Sequence, residues 1–450
     1  MKKIKDNEKK FSVITLGCSK NTVDSELLIA SLMDRGYEHV ENILESNYVI
    51  VNTCGFIKPA INQSLQTIKD VIQTLKDNGK DSKVIVSGCL VSRYKNKLIN
   101  QLKEVDAFYD TNSFLSIPND IENIENGKRI IKMSGYTPDY SAKLSKFVST
   151  GYFSYVKIGE GCNHTCSFCA IPLIRGKYKS RPIEDIVQEV KKLVSIGIKE
   201  IILVSQDTSF YGYDLYGKLC LDKLLNSICS IDGDFWIRML YLYPTTLTKQ
   251  TLEVIKENTK IVKYVDIPLQ HVSARVLKAM RRPGNKDFYK NLLEKIRNTI
   301  NDVVIRSTFI VGHPMEEEED FLELVDFLNE VKIERAGFFK YYREKNTFSY
   351  NLKQVNFKTK QRRYKIITSI QDKILKEWSE KQIGKVFKTL IYEEDENYFI
   401  GRAYFDAPEV DSTIKVIKDQ KSRRKIKLGN FYNIKIKEFK EYDFYGEYIS

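Results

Sequence analysis

Three short apolar runs at the start of the chain each end in a cysteine: FSVITLGC (11–18), YVIVNTC (48–54) and KVIVSGC (83–89). Helical spacing fills residues 22–36 and about 60–77 between them, and another helix is expected after residue 89. Continuous apolar runs of this length, separated by helices, belong in a parallel sheet covered on both faces. Ligands of open α/β sheets bind at the carboxyl ends of the strands. The pattern predicts a flavodoxin-like parallel-sheet domain over 1–125, with Cys18, Cys54 and Cys89 brought to one spot. Cysteine is also a common core residue, but the repeated strand-end position argues against plain burial.

Residues 112–150 are less regular and carry Pro118 and Pro138, so 126–150 is expected to be a linker with some structure of its own. A second α/β array follows over 151–382. Its strands are expected at YVKIGEG (155–161), EIILVSQD (200–207), FWIRMLYL (235–242), YVDIPLQ (264–270), VIRSTFIVG (304–312) and AGFFKYY (336–342). Helical stretches such as 183–197 and 316–331 lie between them. Six strand–helix repeats predict a partial or full (β/α) barrel, whose active site would lie at the C-terminal ends of its strands. A helix over about 358–382 leads into alternating residues from 383 to 450, with turns near Glu394, Pro408, Gly429 and Gly446. That stretch is expected to be a small antiparallel β-barrel.

Cys162-Asn-His-Thr-Cys166-Ser-Phe-Cys169 directly follows the first strand of the second array. Thiolates hold iron–sulfur clusters, and a 4Fe–4S cluster normally takes four of them. Three ligands leave one iron open to chelate the amino and carboxylate groups of an amino acid, which is how S-adenosylmethionine is held in the radical enzymes that such a triad resembles. Zinc would require a fourth protein ligand, and His164 lies awkwardly inside the loop itself. Phe168, between the second and third cysteines, is placed to shield a cluster and cover an adenine, or simply to pack. Gln206, Asp207 and Arg306 end apolar strands and are candidates for contact with S-adenosylmethionine or substrate, with loop ordering as the alternative. A basic side chain such as Arg306 suits a carboxylate. Gln270 and His271 carry the same two readings. Cys220 and Cys229 fall in LCLDKLLNSICS and are expected in the core, and His39 at the surface.

Composition narrows the class. No apolar run is long enough to span a membrane and the N-terminus lacks a signal-peptide core, so the expected location is the cytoplasm. Net charge is +13, which suits nucleic acid or an RNA-rich particle as well as a generic lysine-rich surface. The segment from Gly384 to Ser450 holds 13 Lys and Arg against 12 Asp and Glu, so the excess lies elsewhere. KSRRKIK (421–427) reads as a solvated loop or an RNA contact.

The triad resembles that of the radical S-adenosylmethionine superfamily. Cys18, Cys54 and Cys89, in TLGCSKNTVDSE, VNTCGF and VSGCL, resemble the N-terminal domain of the methylthiotransferases, and the tail resembles a TRAM domain. The resemblance covers essentially the whole chain. It implies two 4Fe–4S clusters: an auxiliary one on Cys18, Cys54 and Cys89, and the radical one on Cys162, Cys166 and Cys169. It implies that S-adenosylmethionine serves as methyl donor and as radical source. It also implies an electron donor protein and a sulfur source as partners. One branch of the family modifies an adenosine derivative in tRNA. The other modifies the β-carbon of an aspartate in protein twelve of the small ribosomal subunit. SQDTSFYG (205–212), YLYPTTLT (241–248), DIPLQHVSARVLKAMRRPG (266–284), RSTFIVG (306–312), DAPEVD (406–411) and EYDFYGE (441–447) are similar to the ribosomal-protein branch. The near-neutral tail agrees, since an RNA-binding barrel should be basic. A non-catalytic iron–sulfur protein that binds RNA or the ribosome is the remaining reading, and an open-iron triad gives it no purpose.

Two stretches depart from the family pattern. FPGE is replaced by His313-Pro314-Met315-Glu316, and YSREEGT by YYREKNT (341–347). Both are expected at strand ends facing the barrel mouth.

Overall fold

The computed structural model describes residues 9–133, 140, 146–418 and 426–449. Contacts divide the chain into two compact units. The first comprises residues 1–149, 157–186 and 342–350; the second comprises 150–156, 187–341 and 351–450.

The first unit is built on a six-stranded parallel sheet. In chain order its elements are β1 (Lys10–Thr15), α1 (Ser19–Met33), β2 (Glu38–His39), β3 (Tyr48–Thr53), α2 (Lys58–Asp77), β4 (Lys83–Gly88), α3 (Cys89–Gln101), β5 (Ala107–Tyr109), α4 (Ile117–Glu125) and β6 (Ile130–Lys132). The strand order is β2-β1-β3-β4-β5-β6. Every residue of β3 is buried, as its unbroken apolar run requires. Val49, Val51, Val84, Val86 and Phe108 pack there against Ile68, Val71, Ile72 and Leu75 of α2 and Leu98 and Ile99 of α3. The short strands β2, β5 and β6 lie beyond the three runs legible in the sequence. The stretch expected to be a linker contributes β6, while much of its remainder, including Pro138, lies outside the described residues.

β7 (Phe153–Lys157) leads back into the first unit. There β8 (Gly159–Glu160) pairs with β9 (Lys179–Ser180) across α5 (Ile171–Arg175). The second unit continues with α6 (Ile183–Ser195), β10 (Glu200–Val204), α7 (Tyr213–Tyr216), α8 (Leu221–Cys229), β11 (Trp236–Met239), α9 (Lys249–Glu257), β12 (Tyr264–Asp266), α10 (Ala274–Ala279), α11 (Lys286–Thr299), β13 (Val304–Val311), α12 (Glu318–Val331), β14 (Arg335–Lys340) and α13 (Phe357–Glu380). The six expected strands are present. They form two three-stranded sheets, β11-β10-β7 and β12-β13-β14, linked by a parallel bridge between Ile237 and Ile261. This is the open partial barrel of the sequence reading.

A closed barrel of β15 (Val386–Glu394), β16 (Tyr398–Ala403), β17 (Ile414–Ile417), β18 (Asn430–Lys440) and β19 (Asp443–Tyr448) completes the unit. Two details correct the sequence reading. β17 pairs with β19 in parallel, so the barrel is mixed rather than antiparallel. Gly446 lies inside β19 rather than at a turn; a Cβ there would sit 2.6 Å from Ile434, so the glycine serves close strand packing. The DAPEVD segment is structural. Asp406 pairs with Arg335 at 2.6 Å, and Glu409 and Asp411 accept hydrogen bonds from Tyr155 and Tyr264. Residues 421–425 of KSRRKIK lie outside the described residues.

Candidate functional site

All six candidate cluster cysteines belong to the first unit. Cys18 N-caps α1, Cys54 directly follows β3, and Cys89 opens α3 directly after β4. Two glycines let the strand ends close up. A Cβ on Gly17 would lie 2.9 Å from Cys54 Cβ, and one on Gly55 would lie 2.6 Å from the Cys89 carbonyl oxygen. Buried Asn21 pins the three ends together. Its side-chain amide donates to the carbonyls of Leu16 at 2.7 Å and Thr53 at 3.1 Å, and its Oδ1 lies 3.6 Å from Cys89 Sγ. Asn52, at the end of β3, donates to the Asn21 carbonyl and to Ser25.

The three thiols differ electrically. Cys18 is exposed; desolvation by the surrounding protein works to raise its pKa, but Lys20, Arg175 and the N–H groups of Lys20 and Asn21 outweigh it and hold the thiol below its ordinary value. Burial pushes Cys54 up to about 11. Burial also raises Cys89, against the pull of Arg175.

Cys162, Cys166 and Cys169 are half-buried on one loop. Cys162 N–H donates to the Gly176 carbonyl at 3.1 Å, and Cys169 N–H to the Cys166 carbonyl at 3.1 Å. The Ile171 N–H reaches Cys169 Sγ at 3.4 Å. Gly161 takes a φ of +81°, and a Cβ there would lie 2.2 Å from the Lys177 carbonyl oxygen, so the entry to the loop admits only glycine. Ser349 holds the loop from outside, donating both its N–H and its hydroxyl to the Ser167 carbonyl at 2.9 Å. Phe168 is half-buried beside the cysteines.

The two cysteine sets meet. Cys89 packs against Ala170 and Ile174 of the segment that follows the triad, and Thr111 donates to the Ile174 carbonyl at 3.2 Å. Arg175, at the end of α5, places Nη2 at 2.6 Å from Asn21 Oδ1 and 3.3 Å from Cys89 Sγ. Its Nη1 bonds Asp24 at 3.1 Å and Glu160 at 2.9 Å. Lys157, fully buried, bonds the same two carboxylates at 2.5 and 2.6 Å and the Tyr140 hydroxyl at 3.0 Å. Two cations and two carboxylates thus neutralise each other in the interior, as buried charges must. A second buried pair, Arg93 with Glu344 at 2.9 Å, ties residues 342–350 to the turn after Cys54. There Arg93 also donates to the Gly55 and Phe56 carbonyls.

Sequence reasoning passed over Asn21, Asp24, Lys157, Glu160 and Arg175. The available signals were a helix opening SKNTVDSE with little apolar content, and Lys and Glu inside the otherwise apolar run YVKIGEG.

The other candidates lie in the second unit. Asp207 accepts from the Phe210 N–H at 3.1 Å and the Ser209 hydroxyl at 2.8 Å, the bonds of a loop-ordering residue. Arg306 on β13 pairs with Asp266 on β12 at 3.2 Å, and Asp266 also accepts from the Tyr241 N–H. Gln206 is half-buried. Gln270 adopts a φ of +73° and precedes fully buried His271, whose Nδ1 accepts from the Ser273 N–H. Cys220 is core, as expected; Cys229 and His39 are half-buried.

The departures from the family pattern share a backbone feature. Met315 and Asn346 stand where that pattern has glycine, and they adopt φ of +78° and +65°. His313 replaces the pattern's phenylalanine and keeps an aromatic contact, 5.2 Å from Tyr341. Glu316 accepts from the N–H groups of Gly312 and His313 and from Arg363.

The chain matches the radical SAM superfamily over residues 156–328, the uncharacterized protein family UPF0004 over 10–110 and the TRAM domain over 383–449. It is therefore a transferase of the radical class that uses an iron–sulfur cluster and S-adenosylmethionine. Relatives named ribosomal protein uS12 methylthiotransferase RimO align along its length. The protein of Carboxydothermus hydrogenoformans is 41% identical over 98% of this chain and 100% of its own. That of Clostridioides difficile is 40% identical over 98% and 99%, and that of Dictyoglomus thermophilum 42% over 98% and 100%. The chain belongs to the RimO family of methylthiotransferases. Among solved structures, its fold is similar to the radical S-adenosylmethionine methyltransferase TsrM of Kitasatospora setae. The TM-score is 0.56 at 14% identity, over 76% of this chain and 74% of that one. It is also similar to the cobalamin-dependent radical enzyme OxsB, with a TM-score of 0.52 at 12% identity over 81% and 56%.

Proposed function

We propose that this chain transfers a methylthio group to the β-carbon of an aspartate in ribosomal protein uS12. The observation that carries the reading is end-to-end similarity to proteins named for uS12 methylthiolation. In the proposed assignment two 4Fe–4S clusters are bound. Cys162, Cys166 and Cys169 hold one, and Cys18, Cys54 and Cys89 hold the other. The residues fit such groups. Each set supplies three thiols, and Gly17 and Gly55 let the backbone at the strand ends approach Cys54 and Cys89 closely enough to gather that set. Among the described residues, no three His, Cys, Asp or Glu side chains are arranged to hold a single metal ion. A cluster binds each thiolate at a different iron, so its ligands need not converge on one point.

When bound, an open-iron cluster supplies the electron that breaks a carbon–sulfur bond of S-adenosylmethionine. The chain's own residues orient and shield. Asn21 fixes the three strand ends and Ser349 fixes the triad loop, and half-buried Phe168 within that loop is the residue proposed to shield the cluster. Gln206, Asp207 and Arg306 are the proposed contacts to S-adenosylmethionine or substrate. Domain limits of 1–125, 126–150, 151–382 and 383–450 follow the order of chemistry along the chain. An electron donor protein, a sulfur source and a cytoplasmic location complete the proposal. No described helix is long and apolar enough to cross a membrane.

Mass spectrometry of uS12 from cells with and without the gene tests the reading. A methylthio increment on one aspartate, lost on deletion, is expected. An unchanged uS12, with a methylthio nucleoside lost from tRNA, would overturn it.

A further inference from the structure

The cation that bonds the Cys89 sulfur does not come from the sheet that presents the strand-end cysteines. Arg175 is carried by α5, six residues after Cys169, and reaches across to Cys89. Its fork is fully committed. Nη1 serves Asp24 and Glu160, and Nη2 serves Asn21 and the Cys89 sulfur. Lys157 binds the same carboxylates from another side, so the guanidinium is held where it lies rather than free to swing out. The side chain is 2% exposed, and its planar, always-charged fork loses little freedom in making four directed bonds. Asp24, Glu160, Lys157 and Arg175 already balance one another. Any negative charge arriving at Cys89 therefore meets an N–H donor that is oriented and desolvated in advance. Hydrogen bonds to cluster sulfurs raise reduction potential, because they stabilise the more negative, reduced form.

We infer that Arg175 is a positioning residue for the cluster proposed on Cys18, Cys54 and Cys89, donating an N–H to the Cys89 sulfur and thereby raising that cluster's reduction potential. The inference rests on the two-cluster assignment above. It adds a physical link between the sets, since the helix that follows the triad delivers the donor that tunes the other cluster. A purely structural ion pair would stabilise the fold and leave the potential alone.

The test uses the full chain with Cys162→Ala, Cys166→Ala and Cys169→Ala, prepared anaerobically so that only the strand-end cluster remains. A potentiometric titration followed by electron paramagnetic resonance compares this chain with its Arg175→Gln and Arg175→Lys derivatives. The midpoint is expected to move to more negative potential in the glutamine variant and to fall between the two in the lysine variant, which keeps charge but loses the fork. Unchanged midpoints on intact clusters would overturn the inference while leaving the two-cluster assignment standing. Absence of any cluster from the triad-free chain would overturn both. Should the glutamine variant fail to fold, the measurement moves to the triad-free chain grown with 15N-arginine. Electron-spin-echo spectroscopy of its reduced cluster is expected to detect an arginine nitrogen coupled to the cluster, and no such coupling would overturn the inference.

Discussion

The two cysteine sets are positioned by opposite means. Cys162, Cys166 and Cys169 are close in sequence, and their loop is shaped by local backbone bonds and by Gly161. Cys18, Cys54 and Cys89 are far apart in sequence. The register of β1, β3 and β4 brings them together, and one asparagine buttons the strand ends. A local set tolerates change elsewhere in the fold, because short-range geometry survives it. A set assembled from strand ends depends on the whole sheet and on every buried polar group between the ends.

The largest expected effect separates the sets by chemistry. Cys166→Ala should lower both S-adenosylmethionine cleavage and product formation by on the order of a thousandfold or more, as for loss of an essential group. Cys54→Ala should abolish product formation and spare cleavage. Assays of 5′-deoxyadenosine and of modified uS12 on the same samples distinguish the two, and equal loss of cleavage in both variants would break the comparison.

Next in size is the clamp beside the strand-end set. Glu344→Ala leaves Arg93 buried without its carboxylate, which costs about 3–5 kcal/mol. Denaturant unfolding should record it together with weakened iron retention. A loss under ~1 kcal/mol would mean that residues 342–350 do not support the set.

Acidification should load the second unit instead. Burial lowers His271 to about 3 and His313 to about 4. The unfolded chain takes up protons below about pH 6.5 while these rings stay neutral. The stability they contribute is intact above that pH and is lost as pH falls toward their folded values. Each should cost about 1.5 kcal/mol between pH 6.5 and 5. His313→Phe, which restores the family's residue, should remove one share from a plot of stability against pH.

The smallest effects concern the two departures. Met315→Gly should stabilise by about 1 kcal/mol, because a left-handed backbone is strained for a residue with a Cβ but not for glycine. Asn346→Gly should gain only a few tenths, since asparagine tolerates that conformation. Equal gains would contradict the backbone account.

The triad was legible because its spacing is its geometry. The strand-end set was legible through a repeated pattern, an apolar run followed by cysteine. The polar core between them was not. Asn21 and Asp24 lie on a helix whose buried face is polar, which defeats hydrophobic periodicity. Arg175 finds Cys89 across 86 residues, a pairing with no local signature. The same limit hid the division of the chain. Residues 157–186 pack with the N-terminal sheet, although their strand pattern reads as the start of the barrel. β2, β5 and β6 are two or three residues long and sit away from the sheet centre, where few apolar residues are needed to bury them.

The most direct test of the central claim, that two separate cysteine sets build two cluster sites in one unit, is an iron and acid-labile sulfide count. It compares the anaerobically reconstituted wild-type chain, the chain with all three triad cysteines replaced by alanine, and the chain with Cys18, Cys54 and Cys89 replaced by alanine. Each variant should retain roughly half the wild-type iron and sulfide, one 4Fe–4S cluster apiece. A triad-free chain devoid of iron, beside a chain lacking the strand-end cysteines that keeps the wild-type amount, would contradict the account.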